Sequence, residues 1–293
     1  MIVDVVDALR VYRYPEQYNT VCHRVSEHPS HDEESQRPFD LDATTFDKWL
    51  SLIAESRGIK TEILILPFWM VTELTTAAKC FKSSGRIMQS VIDELKHEKP
   101  FSDTTLFDGR KWFVRADDVS PKDGEGSAEP ATTLQQLFKL LTTSWRLHGA
   151  YCRHKGGPFR LHLLPWDDQA DTQTEFRVFV APTDSIHNAR VTAISQYSWW
   201  RSILPHIKER IPEVVKASEA MLETIKQQGS IAEPLRQGFS FDLQCRDSIQ
   251  LIELNGFGAL QSTGSCLFNW VSDRHILYDE DDESQEVVVR ICE

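Results

Sequence analysis

Two seven-residue runs, FSFDLQC at 239–245 and IQLIELN at 249–255, constrain this chain more than any other stretch. Both alternate at the period of a β-strand and lie close enough to pair as a hairpin, yet they carry acids where an ordinary buried strand is apolar. Phe239, Phe241 and Leu243 share one face, which leaves Asp242 on the other. Glu253 and Asn255, two residues apart, also share a face, and Gly256 and Gly258 follow where the backbone turns or approaches a ligand closely. Register decides whether the acids meet. A two- or four-residue connection sets Asp242 opposite Leu251 and diagonal to Glu253, whereas a three-residue connection separates them. In the favourable register two carboxylates and an amide oxygen converge, an all-oxygen set suited to Mg2+ that shares its remaining positions with phosphates.

Taken alone, such acids read as a solvated strand edge, so the context matters. In KWFVRADDVSPKDG (111–124) a strand runs into a loop with Arg115, Lys122 and three aspartates. In TEFRVFV (174–180) Glu175 and Arg177 lie opposite Phe176, Val178 and Val180. Arginine suits bidentate phosphate binding and lysine supplies a compact positive charge. Further strands are expected at 62–67, 160–164 and 190–195, and helical spacing at Phe46–Ile53, up to about His97, at Leu134–Trp145 and over roughly Pro205–Gln228. Strand pairs separated by a helix indicate an α+β layering rather than strict alternation. Residues 26–38, 117–130 and 279–286 read as loops.

The net charge of −12 argues against a surface that grips nucleic acid over its whole extent, although a local basic cleft from Arg115, Lys122, Arg146, Arg153, His154, Lys155, Arg160 and Arg177 is open to the chain. No apolar run is long enough to span a bilayer, and Asp4 and Asp7 stand where a secretory leader carries basic residues, so no membrane association is expected. Six scattered cysteines without a CxxC pair point to reduced thiols in the cytoplasm, with the nucleus as the alternative. Cys22, His23, His28 and His31 lack zinc-ligand spacing. Trp199 and Trp200 are candidate stacking platforms, more often core plus rim, and His148, His154 and His162 are candidate acid–base groups.

FVRADDVSPKD, EFRVFV followed by TAISQY, FSFDLQC with IQLIELNGFG, and SCLFNW at 265–270 together resemble the cell division cycle protein 123 family of the ATP-grasp superfamily, over roughly residues 64–278. The resemblance implies an α+β ATP-grasp fold in which two α+β subdomains hold ATP and Mg2+ between them. It implies an amino-terminal extension at 1–60, subdomains at 61–158 and 159–278 with the metal-binding hairpin at 239–258, and an acidic tail at 279–293. Asp242, Glu253 and Asn255 then become the metal ligands. Arg177 becomes a phosphate contact with Glu175 beside it, Arg115 stands where the family usually has a phosphate-binding lysine, and Lys122 joins the catalytic and nucleotide-binding cations. Trp166, in LLPWDD, belongs to the hinge that touches adenine. This chain departs from the family pattern at Leu164-Pro165, where a basic pair usually precedes the tryptophan, and at Glu253, where aspartate is typical.

Two functions follow from the resemblance. The favoured expectation is an ATP- and Mg2+-dependent ligase joining RNA ends of the 3′-phosphate and 5′-hydroxyl type, because Glu253-x-Asn255 is the form seen in catalytic ATP-grasp ligases. The alternative is an ATP-binding assembly chaperone for translation initiation factor 2 that binds its gamma subunit. DNA is not an expected partner.

Overall fold

The computed structural model describes residues 1–20, 41–102, 104–258, 263–280 and 286–293. The flexible insertion expected at 26–38 and the cluster Cys22, His23, His28 and His31 lie outside them. The strands are β1 (Ile2–Val6), β2 (Glu62–Leu66), β3 (Trp112–Ala116), β4 (Phe159–Pro165), β5 (Glu175–Val180), β6 (Val191–Gln196), β7 (Phe239–Cys245), β8 (Ile249–Asn255) and β9 (Val288–Cys292). The helices are α1 (Ala8–Arg13), α2 (Phe46–Arg57), α3 (Phe68–Ser84), α4 (Gln89–Leu95), α5 (Leu134–Thr143), α6 (Trp145–Arg153), α7 (Pro205–Lys208), α8 (Ile211–Lys226) and α9 (Arg274–Leu277). The fold is α+β, as expected.

Residues 58–170 form one compact unit. Its antiparallel sheet has the order β2-β4-β3, and β2 shows the period-2 pattern plainly: Leu64 and Leu66 are buried while Ile63 and Ile65 face outward. Met70, Leu74, Leu137, Phe138, Leu141 and Leu147 from the helices close the core beneath it. Thr133 and Ser144 cap α5 and α6 by accepting the amides of Gln136 and Leu147, and Gly85, left-handed at φ 66°, ends α3.

Residues 1–57 and 171–293 form the second unit, built on a six-stranded sheet of order β1-β9-β6-β5-β7-β8. β9 lies parallel to both β1 and β6, and the other pairs are antiparallel. Three expectations change here. The amino terminus is not a separate extension, because Ile2–Val6 adds a strand to this sheet and α2 packs along β8. The strand at 159–165 belongs to the three-stranded sheet, so the division falls after Ala170 rather than at 158. The end of the segment expected as a tail is not one: the β-branched run Val288–Cys292 is an interior strand with Val289, Ile291 and Cys292 buried. The helical stretch over 205–228 is two helices, with Pro212 seated in the first turn of the longer one.

The hairpin β7–β8 has the three-residue connection Arg246, Asp247 and Ser248, which taken by itself separates the acids. A β-bulge cancels that effect. Leu243 pairs with Leu251, Ile252 is the extra residue, and Asp242 comes to lie directly opposite Glu253 rather than diagonal to it. One inserted residue reverses the face of everything beyond it, so Glu253 and Asn255 move from the face of Phe241 to that of Asp242.

Candidate functional site

A single polar row crosses all six strands. Register places Asp4 opposite Arg290, Arg290 opposite Ser195, Ser195 opposite Arg177, Arg177 opposite Asp242 and Asp242 opposite Glu253. Directly opposed residues share a face, so all six side chains leave the sheet on one side, flanked on β5, β7 and β9 by apolar residues directed to the other and on β6 by Ile194 and the buried Gln196. Both faces of β7 are buried, and Asp242 is only 2% exposed. Segment 263–270 covers the row. Gly264 O accepts from Arg177 Nη1 at 2.8 Å, Ser195 Oγ accepts the Leu267 amide at 3.0 Å, and the Phe268 ring lies 4.4 Å from the Arg290 guanidinium.

Arg177, 6% exposed, grips Asp242 with both arms of its guanidinium, Nε to Oδ1 at 2.8 Å and Nη2 to Oδ2 at 2.7 Å. Burial opposes a charge on Arg177, and the Asp242 carboxylate more than offsets it, so the guanidinium stays charged with its pKa raised. Asn255 donates Nδ2 to Asp242 Oδ2 at 3.2 Å, which turns its own Oδ1 away from that carboxylate. Glu253 is half-buried. The Tyr197 ring lies 5.1 Å from the Arg177 guanidinium, and burial followed by the Asp242 charge pushes its phenol pKa up. Burial also pushes the Cys266 thiol up to about 12, which keeps it protonated at neutral pH.

Asp242, Glu253 and Asn255 fit a hard divalent cation by the chemistry of their donors, which are all oxygen, though one carboxylate is committed to Arg177. No group of three or more His, Cys, Asp or Glu side chains arranged for a metal occurs among the described residues. Glu175 occupies the neighbouring row, paired with Gln244, itself 4% exposed and paired in turn with Gln250. The sequence reading missed Ser195, Tyr197, Gly264 and Arg290. Arg290 carries a signature like that of Asp242, a lone charge inside a largely apolar run, but its place after an acidic stretch makes it read as tail.

The remaining candidates lie in the unit 58–170. Arg115 is buried on β3 opposite His162, whose Nε2 is 2.6 Å from Asp117 Oδ1. Lys122 is exposed and lines a cleft with Trp112, Pro121, Glu129 and Trp166, so two of the predicted nucleotide contacts share one depression. Two of the basic residues of this unit are matched by loop aspartates. Arg160 pairs with Asp117 at 3.3 Å and Arg153 with Asp118 at 3.6 Å. Asp123 accepts from Ser144 Oγ and from the Arg146 amide, while Arg146 Nε donates to Ser120 O. Trp199 packs against a small core that includes Tyr18 and Leu267, and Trp200 is 52% exposed, a core-and-rim pair rather than two platforms. Cysteines 80, 152, 245, 266 and 292 carry free thiols. No helix among the described residues is long and apolar enough to cross a membrane.

No family model matches this sequence, and no curated protein matches it. Among solved structures, Cdc123 from Schizosaccharomyces pombe superposes with a TM-score of 0.61 at 19% identity, covering 87% of this chain and 98% of that one. A C-terminally truncated form of the same protein gives 0.61 and 19%, covering 86% and 96%. The chain therefore shares the fold of Cdc123, in agreement with the resemblance its motifs carry.

Proposed function

We propose that this protein is an ATP- and Mg2+-binding assembly factor of the Cdc123 type, which binds the gamma subunit of translation initiation factor 2 while that trimer forms in the cytoplasm. The observation that carries this reading is the fold it shares with nearly the whole of the Cdc123 chain, combined with the resemblance that its three motifs carry. Within it, Glu253, Asn255 and Asp242 are the residues to hold Mg2+, Arg177 receives a phosphate, and Arg115, Lys122, Glu175 and Trp166 are the further nucleotide contacts, in the ATP-grasp manner. The cation supplies charge neutralisation on the triphosphate, and the protein's own residues orient it.

One observation favours a second reading. Glu253 and Asn255 stand on one face at the spacing of catalytic ATP-grasp ligases, which supports an RNA ligase. Against it, two of the arginines that could receive RNA phosphates, Arg160 and Arg153, are engaged by Asp117 and Asp118. The two readings separate in one pair of assays: capture of purified initiation factor 2 gamma by the immobilised protein, and incubation with ATP, Mg2+ and end-labelled broken RNA. Capture without joined RNA is expected. Joined or nucleotide-modified RNA without capture, abolished by Glu253→Gln, overturns the assembly reading.

A further inference from the structure

The bond pattern around Asp242 sets an order on binding. Its two oxygens offer about four lone-pair positions. Arg177 Nε takes one on Oδ1, and Arg177 Nη2 and Asn255 Nδ2 take two on Oδ2. The arginine is fixed at its other end as well, through Nη1 to Gly264 O. A divalent cation bridging Asp242 and Glu253 has to stand beside this guanidinium, positive charge against positive charge, in a place where both members of the pair are buried. Drawing Asp242 toward the cation leaves a buried guanidinium without its counter-charge, which is the costly way to break such a pair. A phosphate group removes that obstacle, since its oxygens offer Arg177 the same bidentate geometry that the carboxylate does.

We infer that Arg177 is a built-in substitute for the cation: it holds Asp242 until a polyphosphate takes over its guanidinium, so that divalent metal and polyphosphate enter together and the metal alone is refused. This rests on the nucleotide-site reading above and adds to it a rule of order. Arg177 acts here as a positioning residue whose exchange of partners couples two ligands.

The test titrates Mn2+ against wild-type protein and against Arg177→Lys and Arg177→Met, following free Mn2+ by electron paramagnetic resonance, first alone and then with inorganic tripolyphosphate or ATP. Lysine keeps the charge but cannot make two parallel bonds, so it serves if the methionine variant does not fold. Wild-type protein is expected to bind Mn2+ alone at least about tenfold more weakly than Arg177→Met, with Arg177→Lys between them, and to gain Mn2+ affinity when tripolyphosphate is present. Equal Mn2+ affinity across the three proteins, with ATP and Mg2+ still binding to wild type, overturns the inference and leaves the nucleotide reading standing. Failure of wild type to bind ATP or tripolyphosphate with any metal overturns both.

Discussion

Gly264 presents the carbonyl that anchors Arg177, and the backbone beneath it tolerates no side chain. A Cβ there would clash with Asn19 Oδ1. That oxygen is in use, since it accepts the Cys266 amide at 3.2 Å while the Asn19 amide donates to Cys266 O at 2.7 Å. Asn19 and Cys266 both sit at positive φ, 47° and 53°, a conformation asparagine adopts readily and cysteine does not, so the clasp holds a strained residue beside the polar row. Gly264→Ala has to push Asn19 aside and forfeit that clasp; we expect a loss of about 1 to 2 kcal/mol in urea denaturation, with Asn19→Gly, which keeps the positive φ and removes the clasp, adding little to it. His148 supplies a pH-dependent counterpart. Burial first, then the charges of Lys79 and Lys82, lower its pKa below the ordinary 6.5. The unfolded chain therefore binds more protons in that window: stability is complete above pH 6.5 and declines as the pH falls toward the folded value. The His148 imidazole should titrate below 6.5 by NMR, and His148→Gln should flatten that part of the stability profile.

At the level of elements, the strands that read best were those whose alternation repeats over five residues or more: β5, β7 and β8 are found where their patterns put them, because one face of each is continuously apolar. The bulge at Ile252 leaves one trace in the sequence, the consecutive apolar pair Leu251-Ile252 that shifts the alternation by one, and its effect on Glu253 shows only in the partner it faces across the hairpin. β1 and β9 escaped for a related reason: residues 2–6 and 288–292 are short, lie at opposite ends of the chain, and are strands because they pair with each other. Arg177, Asp242, Glu253 and Asn255 could be picked out as lone polar residues in apolar strands, whereas Gly264 contributes only a carbonyl and nothing in its side chain announces that. The interior place of β9 makes a sharp prediction. Ending the chain at residue 286 removes Val289, Ile291 and Arg290, strips β1 of its partner in the sheet and leaves β6 paired on one side only, so the truncated protein should lose near-ultraviolet dichroism and protease resistance in residues 171–280. An acidic tail could be removed without either effect.

Across the whole molecule, the balance of charge separates a protein-binding role from an RNA-binding one. A chain with net charge −12 repels RNA at long range and can hold it only where cations cluster without counter-charges. The best such cluster is the stretch 115–160, and there Asp117 and Asp118 face Arg160 and Arg153. The Arg153–Asp118 pair is exposed and adds little to stability, the Arg160–Asp117 pair is half-buried, and the two place a negative charge within 4 Å of the Arg153 and Arg160 guanidinium groups that a phosphate would have to approach. Single-stranded RNA should therefore show no saturable binding to wild-type protein at physiological salt, as judged by fluorescence anisotropy. Converting Asp117 and Asp118 together to asparagine removes two charges without altering shape. RNA binding should then appear at low salt, and log K against log salt should fall with a slope of about −1.4, as two newly available single-strand phosphate contacts require. Tight, salt-resistant RNA binding by the unaltered protein would mean that the acidic partners do not govern this surface, and the ligase reading would then regain its place.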